Sequence, residues 1–295
     1  MRQLVLKNVL AATDLSPESA EALRTAAELA RLAEARLHVV YAAAGPEPHA
    51  QRALREHLAG VAPAAAEGAV VHAVPGAPDE VILRTADWVE ADVVVLGPHR
   101  DRGASGAALG STADRVVRGA EVPCLVVPRA LTLPLSRVVA AVELTDSGRG
   151  AVMVALTWGS ALRRPLSART AGEPPTCIDV LNVHDPAEDG SAGHLPTLAE
   201  YVASVRESPG AVAGVDIKPV VREDGSGSAG VARAILAYVR ESGGDLLVLG
   251  TRNLAGAGDQ SLGSVSATVV REGAVPVLLV PPPVWRRENR AAALP

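Results

Sequence analysis

Asp14, Gly97, Gly110 and Ser111 are residues whose types and places in this chain fit one piece of chemistry, the holding of a phosphate-bearing small molecule. Asp14, with Thr13 before it, ends the short apolar run NVLAATD (8–14). Gly97 ends a second apolar run, ADVVVLG (91–97), and Gly110-Ser111 opens STADRVVR after a Gly-rich loop. A loop that leads from a strand into a helix leaves first-turn N–H groups unpaired, and these, with the positive end of the helix dipole, favour an anion. Glycine lets a phosphate approach the backbone and supplies positive φ where a loop needs it. An Asp at the end of a strand accepts hydrogen bonds from an adenine or a ribose. Plain structural roles compete: Ser111 with Asp114 makes a capping-box-like pair, and Asp14 can cap the helix that follows it.

The same pattern occurs twice. Gly97 and Gly250, Gly110 and Gly263, Ser111 and Ser264, Arg118 and Arg271, and Pro123 and Pro276 are all 153 residues apart with no gap. A constant offset over so long a segment marks a duplicated unit, and a unit of this size is a domain rather than a solenoid repeat. Asp14 aligns with Glu143, only 129 residues on, so the second copy holds about 24 additional residues upstream of its last third. Two polar, Pro- and Gly-bearing stretches, 163–176 and 184–197, have room for them and read as surface loops. The boundaries expected are 1–131 for the first domain, 132–284 for the second and 285–295 for a tail, with a linker near 129–136.

The elements that must position these residues alternate. After the strand ending at Asp14, Ser16-Pro17-Glu18 starts a helix, with Leu23, Ala27 and Ala30 at helical spacing through residue 35. Then come a strand at 35–43, a helix near 47–60, a strand at 69–76, a helix from Pro78 through Trp88, the strand ending at Gly97, a helix from Ser111 to about Arg118, and a last strand in VPCLVVP (122–128). Alternation of this kind demands parallel strands with crossover helices on both faces, a doubly wound α/β sheet.

Composition supports that class and narrows the partners. Apolar residues make up 48% of the chain but aromatics only 2%, with no Phe, so the core is Ala, Val and Leu. A net charge of −5 and only two lysines, Lys7 and Lys218, argue against nucleic acid as a partner. Cys124 and Cys177 have no metal or CxxC spacing, and Cys124 reads as a small buried hydrophobe. Without a signal-like N-terminal segment or an apolar run of about 18 residues, a cytoplasmic protein that does not engage membranes is expected.

These residues resemble the universal stress protein family. The resemblance rests on VLAATDLSPES at the start, on VVVLG leading to Gly97 and Gly110-Ser111, and on VPCLVVP after them, and both halves carry it. It implies two tandem doubly wound domains, each a five-stranded parallel sheet in the order 3-2-1-4-5. It also implies adenine-nucleotide binding, with ATP as the ligand and Mg²⁺ its optional companion. The family's motif G-x2-G-x9-G-[S/T] and its first-strand Asp map onto Asp14, Gly97, Gly110 and Ser111, then onto Gly250, Gly263 and Ser264. Ala42 and Val183 align with a small residue lining the adenine pocket.

Each copy departs from the motif. Arg100 and Asn253 replace its second glycine, and Glu143 replaces Asp14 with a longer side chain. Asn tolerates positive φ better than Arg, whereas Arg100 can reach a phosphate itself. The first copy, which keeps Asp14, is therefore the better candidate. Pairing of the last strands, 122–127 with 275–280, is implied as an intrachain pseudo-dimer, and a homodimer stays open.

Three functions fit: a nucleotide-binding stress-response regulator, preferred; a nucleotide-free interaction scaffold; and a weak ATPase, disfavoured because no phosphate-binding Lys accompanies the loop. GAALGS (106–111) lacks the Lys of a P-loop, and GxSxG and HExxH do not occur. His99 reads as a solvated loop residue, His38 and His72 as partly exposed strand residues, Trp88 and Trp158 as packing residues, and Trp285 as a tail cover for apolar surface. Pro78-Asp79-Glu80 and Gly225–Ser228 read as helix starts.

Overall fold

A computed structural model describes residues 6–44, 47–98, 110–144, 146–163, 175–184, 197–206, 215–224, 227–251 and 262–281. Arg100, Asn253, His99 and Trp285 lie outside them, as does most of both added stretches, 164–174 and 185–196.

The first half runs β1 (Asn8–Ala12), α1 (Ala20–Leu32), β2 (Arg36–Ala43), α2 (Glu47–Val61), α3 (Pro63–Ala66), β3 (Val70–Pro75), α4 (Pro78–Trp88), β4 (Val93–Leu96), α5 (Ser111–Gly119) and β5 (Cys124–Val126). The second half runs β6 (Arg137–Ala141), α6 (Asp146–Ala161), β7 (Thr176–His184), α7 (Leu198–Arg206), β8 (Val215–Glu223), α8 (Gly227–Ser242), β9 (Leu246–Gly250), α9 (Ser264–Glu272) and β10 (Val277–Val280). All strands join one sheet in the order β3-β2-β1-β4-β5-β10-β9-β6-β7-β8. Neighbours are parallel throughout except β5 and β10, which run antiparallel with Leu125 opposite Leu278. Pro219 falls within β8 at one edge, where a missing N–H costs the ladder nothing.

The strands are apolar on both faces because helices cover both. Leu23 of α1, Leu54 of α2, Leu156 of α6 and Val202 of α7 pack in one cluster. Ile82 of α4, Val116 of α5, Ile235 of α8 and Val269 of α9 pack in the other. Each cluster contains residues of both halves. The connecting segment belongs to the core: Leu131 and Leu135 are buried, and the Leu135 N–H donates to the Leu162 carbonyl at 2.8 Å.

The duplication repeats a joint. Asp92 accepts from the N–H groups of Lys7 and Asn8 at 2.7 and 2.8 Å, tying the entry of β4 to that of β1. Asp245 does the same to Ser136 and Arg137 at 2.8 and 2.9 Å. The residue after α4 that turns the chain left-handed is Glu90 (φ 50); its counterpart after α8 is Gly243 (φ 69), where no Cβ opposes the turn.

Side-chain environments differ from expectation at three positions. His38 and His72 are buried, with 6% and 8% exposure, because α4 lies over that end of β2 and β3. Trp88, at the last position of α4, is 74% exposed instead of packed in the core. Trp158 and Cys124 are buried as read. Among the described residues no helix is long and apolar enough to cross a membrane.

Candidate functional site

The carboxyl ends of β1, β2 and β4 meet the first turns of α4 and α5 around a cavity of about 270 Å³. Ligands of doubly wound sheets bind at such a place, where strand order reverses. Its wall is apolar: Ala12, Val40 and Ala42 from β1 and β2, Ile82 from α4, and Leu96 at the end of β4. The even-numbered residues of β2 share one face, so Val40 and Ala42 come to the cavity together. Thr13, Asp14, Ala42 and Gly97, four of the residues expected from sequence, all line it.

The polar rim is built by the turn after β1. The Thr13 N–H donates to the Val40 carbonyl at 3.0 Å, extending the β1–β2 ladder one step. The Thr13 and Ser19 hydroxyls are hydrogen-bonded at 2.8 Å in a buried setting. Leu15 takes a positive φ of 63°, and its N–H donates to Thr13 Oγ1 at 3.0 Å. Asp14 does not cap the helix directly: its Oδ1 accepts from the Ser16 N–H at 3.0 Å and from Ser16 Oγ at 2.5 Å. Ser16 is the N-cap of the short 3-10 turn Pro17–Ser19 that leads into α1. This brace fixes the Asp14 carboxylate at the mouth of the cavity.

The anion end is the start of α5. Gly110, not Ser111, is the N-cap; it makes no side-chain cap, and Ser111 is the first helical residue. Asp114 turns to Arg118, at 2.7 and 3.0 Å, instead of back to a cap. The first intrahelical bond runs from the Asp114 N–H to the Gly110 carbonyl, so the N–H groups of Ser111, Thr112 and Ala113 have no intrahelical acceptor. Thr112 and Ala113 line the cavity. Positive φ is not what the glycines supply, since Gly110 sits at −58° and Gly263 at −44°. A Cβ on Gly97 would lie 3.4 Å from the Ser19 Cα, at ordinary contact distance.

Residues that sequence reasoning passed over complete the setting. Ser16 and Ser19 read only as cap residues, yet they brace Asp14 and Thr13. Val40 was recoverable from its two-residue spacing to Ala42. His57 of α2 has a buried Nε2 without a hydrogen-bond partner; burial pushes its pKa down while the Asp14 carboxylate pulls the other way. Arg115 pairs with Asp79 at 3.0 Å, clasping α5 to α4 beside the cavity.

In the second half the equivalent positions carry different side chains. Val142 replaces Thr13 and Gly148 replaces Ser19, so the hydroxyl pair is gone. A Cβ on Gly148 would clash with the Glu143 carbonyl oxygen, so a serine does not fit there as Ser19 does in the first half. Val183 takes the place of Ala42. Ser266, the counterpart of Ala113, donates to the Gly250 carbonyl at 3.3 Å. Gly263 and Ser264 start α9 as Gly110 and Ser111 start α5, again with no side-chain cap. The helix terminus is preserved and the side chains before it are not.

Among the described residues no group of three or more His, Cys, Asp or Glu side chains is placed to hold a metal ion.

The family model of the Universal stress protein family matches the chain twice, over residues 6–128 and 136–281. A universal stress protein of Archaeoglobus fulgidus DSM 4304 superposes with a TM-score of 0.66 at 18% identity, covering 95% of this chain and 99% of that one. A putative universal stress protein of Pseudomonas aeruginosa UCBPP-PA14 gives 0.62 at 15% identity, covering 99% and 100%. A universal stress protein solved in complex with cAMP aligns over 42% of this chain and 97% of its own, at 31% identity and a TM-score of 0.36. No curated protein matches the chain.

Proposed function

The chain belongs to the universal stress protein family, and from that premise we propose that it is a stress-response regulator that binds one adenine nucleotide, in its first half. The observation that carries this reading is the cavity of about 270 Å³ with Asp14 braced at its mouth and the uncapped start of α5 at its far side. The volume is near the lower end for ligand pockets, roughly 300–1,000 Å³. It suits a base and sugar, with phosphates leaving along α5. Ala12, Val40, Ala42 and Ile82 would sandwich the adenine, Asp14 would accept from the sugar hydroxyls, and the Ser111–Ala113 N–H groups would meet the phosphates.

ATP is the ligand we favour, with Mg²⁺ entering as its counter-ion. The ligand acts by occupancy, not turnover: among the described residues the lining supplies no Lys and no His to move a proton, and Asp14 already accepts two bonds from Ser16. The antiparallel β5–β10 pairing supports reading the chain as an internal pseudo-dimer, in which case a homodimer would use a different surface. A cytoplasmic setting fits these roles. The second half, where Val142 and Val183 stand in place of Thr13 and Ala42, favours a scaffolding role for that half alone.

Calorimetric titration of the purified chain with ATP and AMP, with nucleotide content read after denaturation, tests the reading. One nucleotide per chain is expected. Neither heat nor retained nucleotide at concentrations up to about 1 mM, the weak end of specific binding, overturns it.

A further inference from the structure

Beneath the floor of the cavity lies a pair of buried histidines that the binding reading does not use. The face of β2 that brings Val40 and Ala42 to the cavity carries His38 one step lower, and the β2–β3 register sets His72 beside Val40. The two rings stack with centroids 5.3 Å apart and planes within 10°. His38 Nδ1 and His72 Nε2 are 3.1 Å apart, while His38 Nε2 is buried without a partner. The lid over both features is one helix. α4 gives Pro78 and Ile82 to the cavity, and its Trp88 meets the His72 ring edge-on at 5.3 Å.

Among the described residues no carboxylate acts on either ring. β1 presents Leu10 in register with His38, and α4 presents Trp88, with the Thr85 hydroxyl already given to the Val81 carbonyl. Beyond burial, the charges that act on His38 are His72 first and then Arg36, on the same strand, and both disfavour its cation; His72 feels burial alone. One added proton buries a cation, and a second leaves two donors opposed across 3.1 Å.

We propose that the His38–His72 pair is an acid-operated latch: neutral, it holds α4 down on the cavity; protonated, it parts and lets α4 lift away from the site above. The consequence for ligand rests on the nucleotide reading; the movement of the latch does not. Burial holds His38 down at about 4 in the packed arrangement. If the parted rings regain the ordinary value near 6.5, His38 alone favours the open form by about twentyfold at pH 5 relative to neutral pH.

The test is ring-proton NMR of the full chain from pH 7.5 to 4.5, with far-UV circular dichroism to mark any global unfolding. Both rings should titrate below the ordinary histidine range, and the Trp88 indole signal should move with them before secondary structure is lost. Rings titrating near 6.5, or a Trp88 signal that stays still, overturn the latch. In parallel, cAMP is the probe, because its phosphodiester charge is constant through this range. Its affinity should fall on the order of tenfold between pH 7.5 and pH 5, and less than about twofold in His38→Leu/His72→Leu, with His38→Gln/His72→Gln as the replacement if the first pair does not fold. An equal fall in wild type and variant overturns the coupling to the cavity. If cAMP does not bind at pH 7.5, the nucleotide reading fails for this ligand, and the ring and Trp88 titrations still decide the latch.

Discussion

The two halves keep the same skeleton and fill it with different chemistry. Asp92 and Asp245 make the same joint, Gly110 and Gly263 start the same helix, and β5 and β10 meet as equals. At the crevice, however, Thr13 and Ser19 of the first half become Val142 and Gly148 of the second. Below it, His38 becomes Asp179, fully buried and held by Arg137 Nη1 at 2.6 Å, the Tyr238 hydroxyl at 2.9 Å and the Cys177 thiol at 3.2 Å. Backbone features are retained because every residue of the sheet depends on them. The side chains around the crevice answer only to what binds there, so they have drifted apart.

The largest expected effect falls on the second half. Burial, with the Asp179 carboxylate adding to it, pushes Cys177 up to about 11 and Tyr238 up to about 12, so both donate at neutral pH. Asp179→Ala would leave the Arg137 guanidinium without its partner and two donors unanswered. Urea unfolding should show a loss of about 3–5 kcal/mol. Replacing His38 and His72 together by Leu should cost under about 1 kcal/mol at pH 7.5, because removing both partners orphans neither. Equal losses would erase the distinction between the two networks.

Acid sharpens the same contrast, with a slightly smaller effect. His38 is lowered to about 4 in the fold against about 6.5 when unfolded. Its neutral form is the one the fold accepts, so its contribution is complete above pH 6.5. It declines as pH falls through 6.5 toward 4, where the unfolded chain binds the additional proton. Integrated over that window, the loss is about 3 kcal/mol. Denaturant midpoints of wild type and His38→Leu/His72→Leu should therefore diverge below pH 6.5, wild type falling faster. Parallel curves would place the acid sensitivity elsewhere.

Much of this was legible in the sequence, and the illegible part has a physical reason. Alternating strands and helices, the repeat joining Gly97 to Gly250, and the ends of β1 and β4 follow from local patterns, and the structure places them there. Thr13, Asp14, Ala42 and Gly97 were recognisable because each ends an apolar run, which is where a parallel strand delivers its residues to the crevice. The His38–His72 pair was misjudged because strand alternation tells which face a residue is on, not what covers that face; α4 covers it from 40 residues away. Trp88 was misjudged for the converse reason: helical spacing near a terminus does not reveal where the partner surface stops. Ser111 looked like a cap by type, but Gly110 takes the extended conformation that precedes the helix. The tight approach at Gly148 was hidden as well, since it has meaning only beside the Glu143 carbonyl.

Binding itself divides the halves next. Gly110 and Gly263 are N-caps with no side-chain bond and nearly the same φ and ψ, so Val at either should cost the fold equally. Gly110→Val places a branched side chain where the phosphates would pass and should weaken nucleotide binding by about a hundredfold or more, roughly 2.7 kcal/mol. Gly263→Val should leave affinity and stoichiometry unchanged in the same calorimetric titration. The opposite outcome would move the site to the second half.

The smallest expected effect compares the two crevices at one wall position. Ala42→Val adds two methyl groups to a wall of a cavity of about 270 Å³ and should cost about tenfold in affinity, the scale of modest overpacking. The reciprocal Val183→Ala removes the same two groups from the second half. It should not raise the stoichiometry above one, because Val142 and the Ser266–Gly250 bond still distinguish the second crevice from the first. A second nucleotide per chain in Val183→Ala would show that one side chain alone separates the halves.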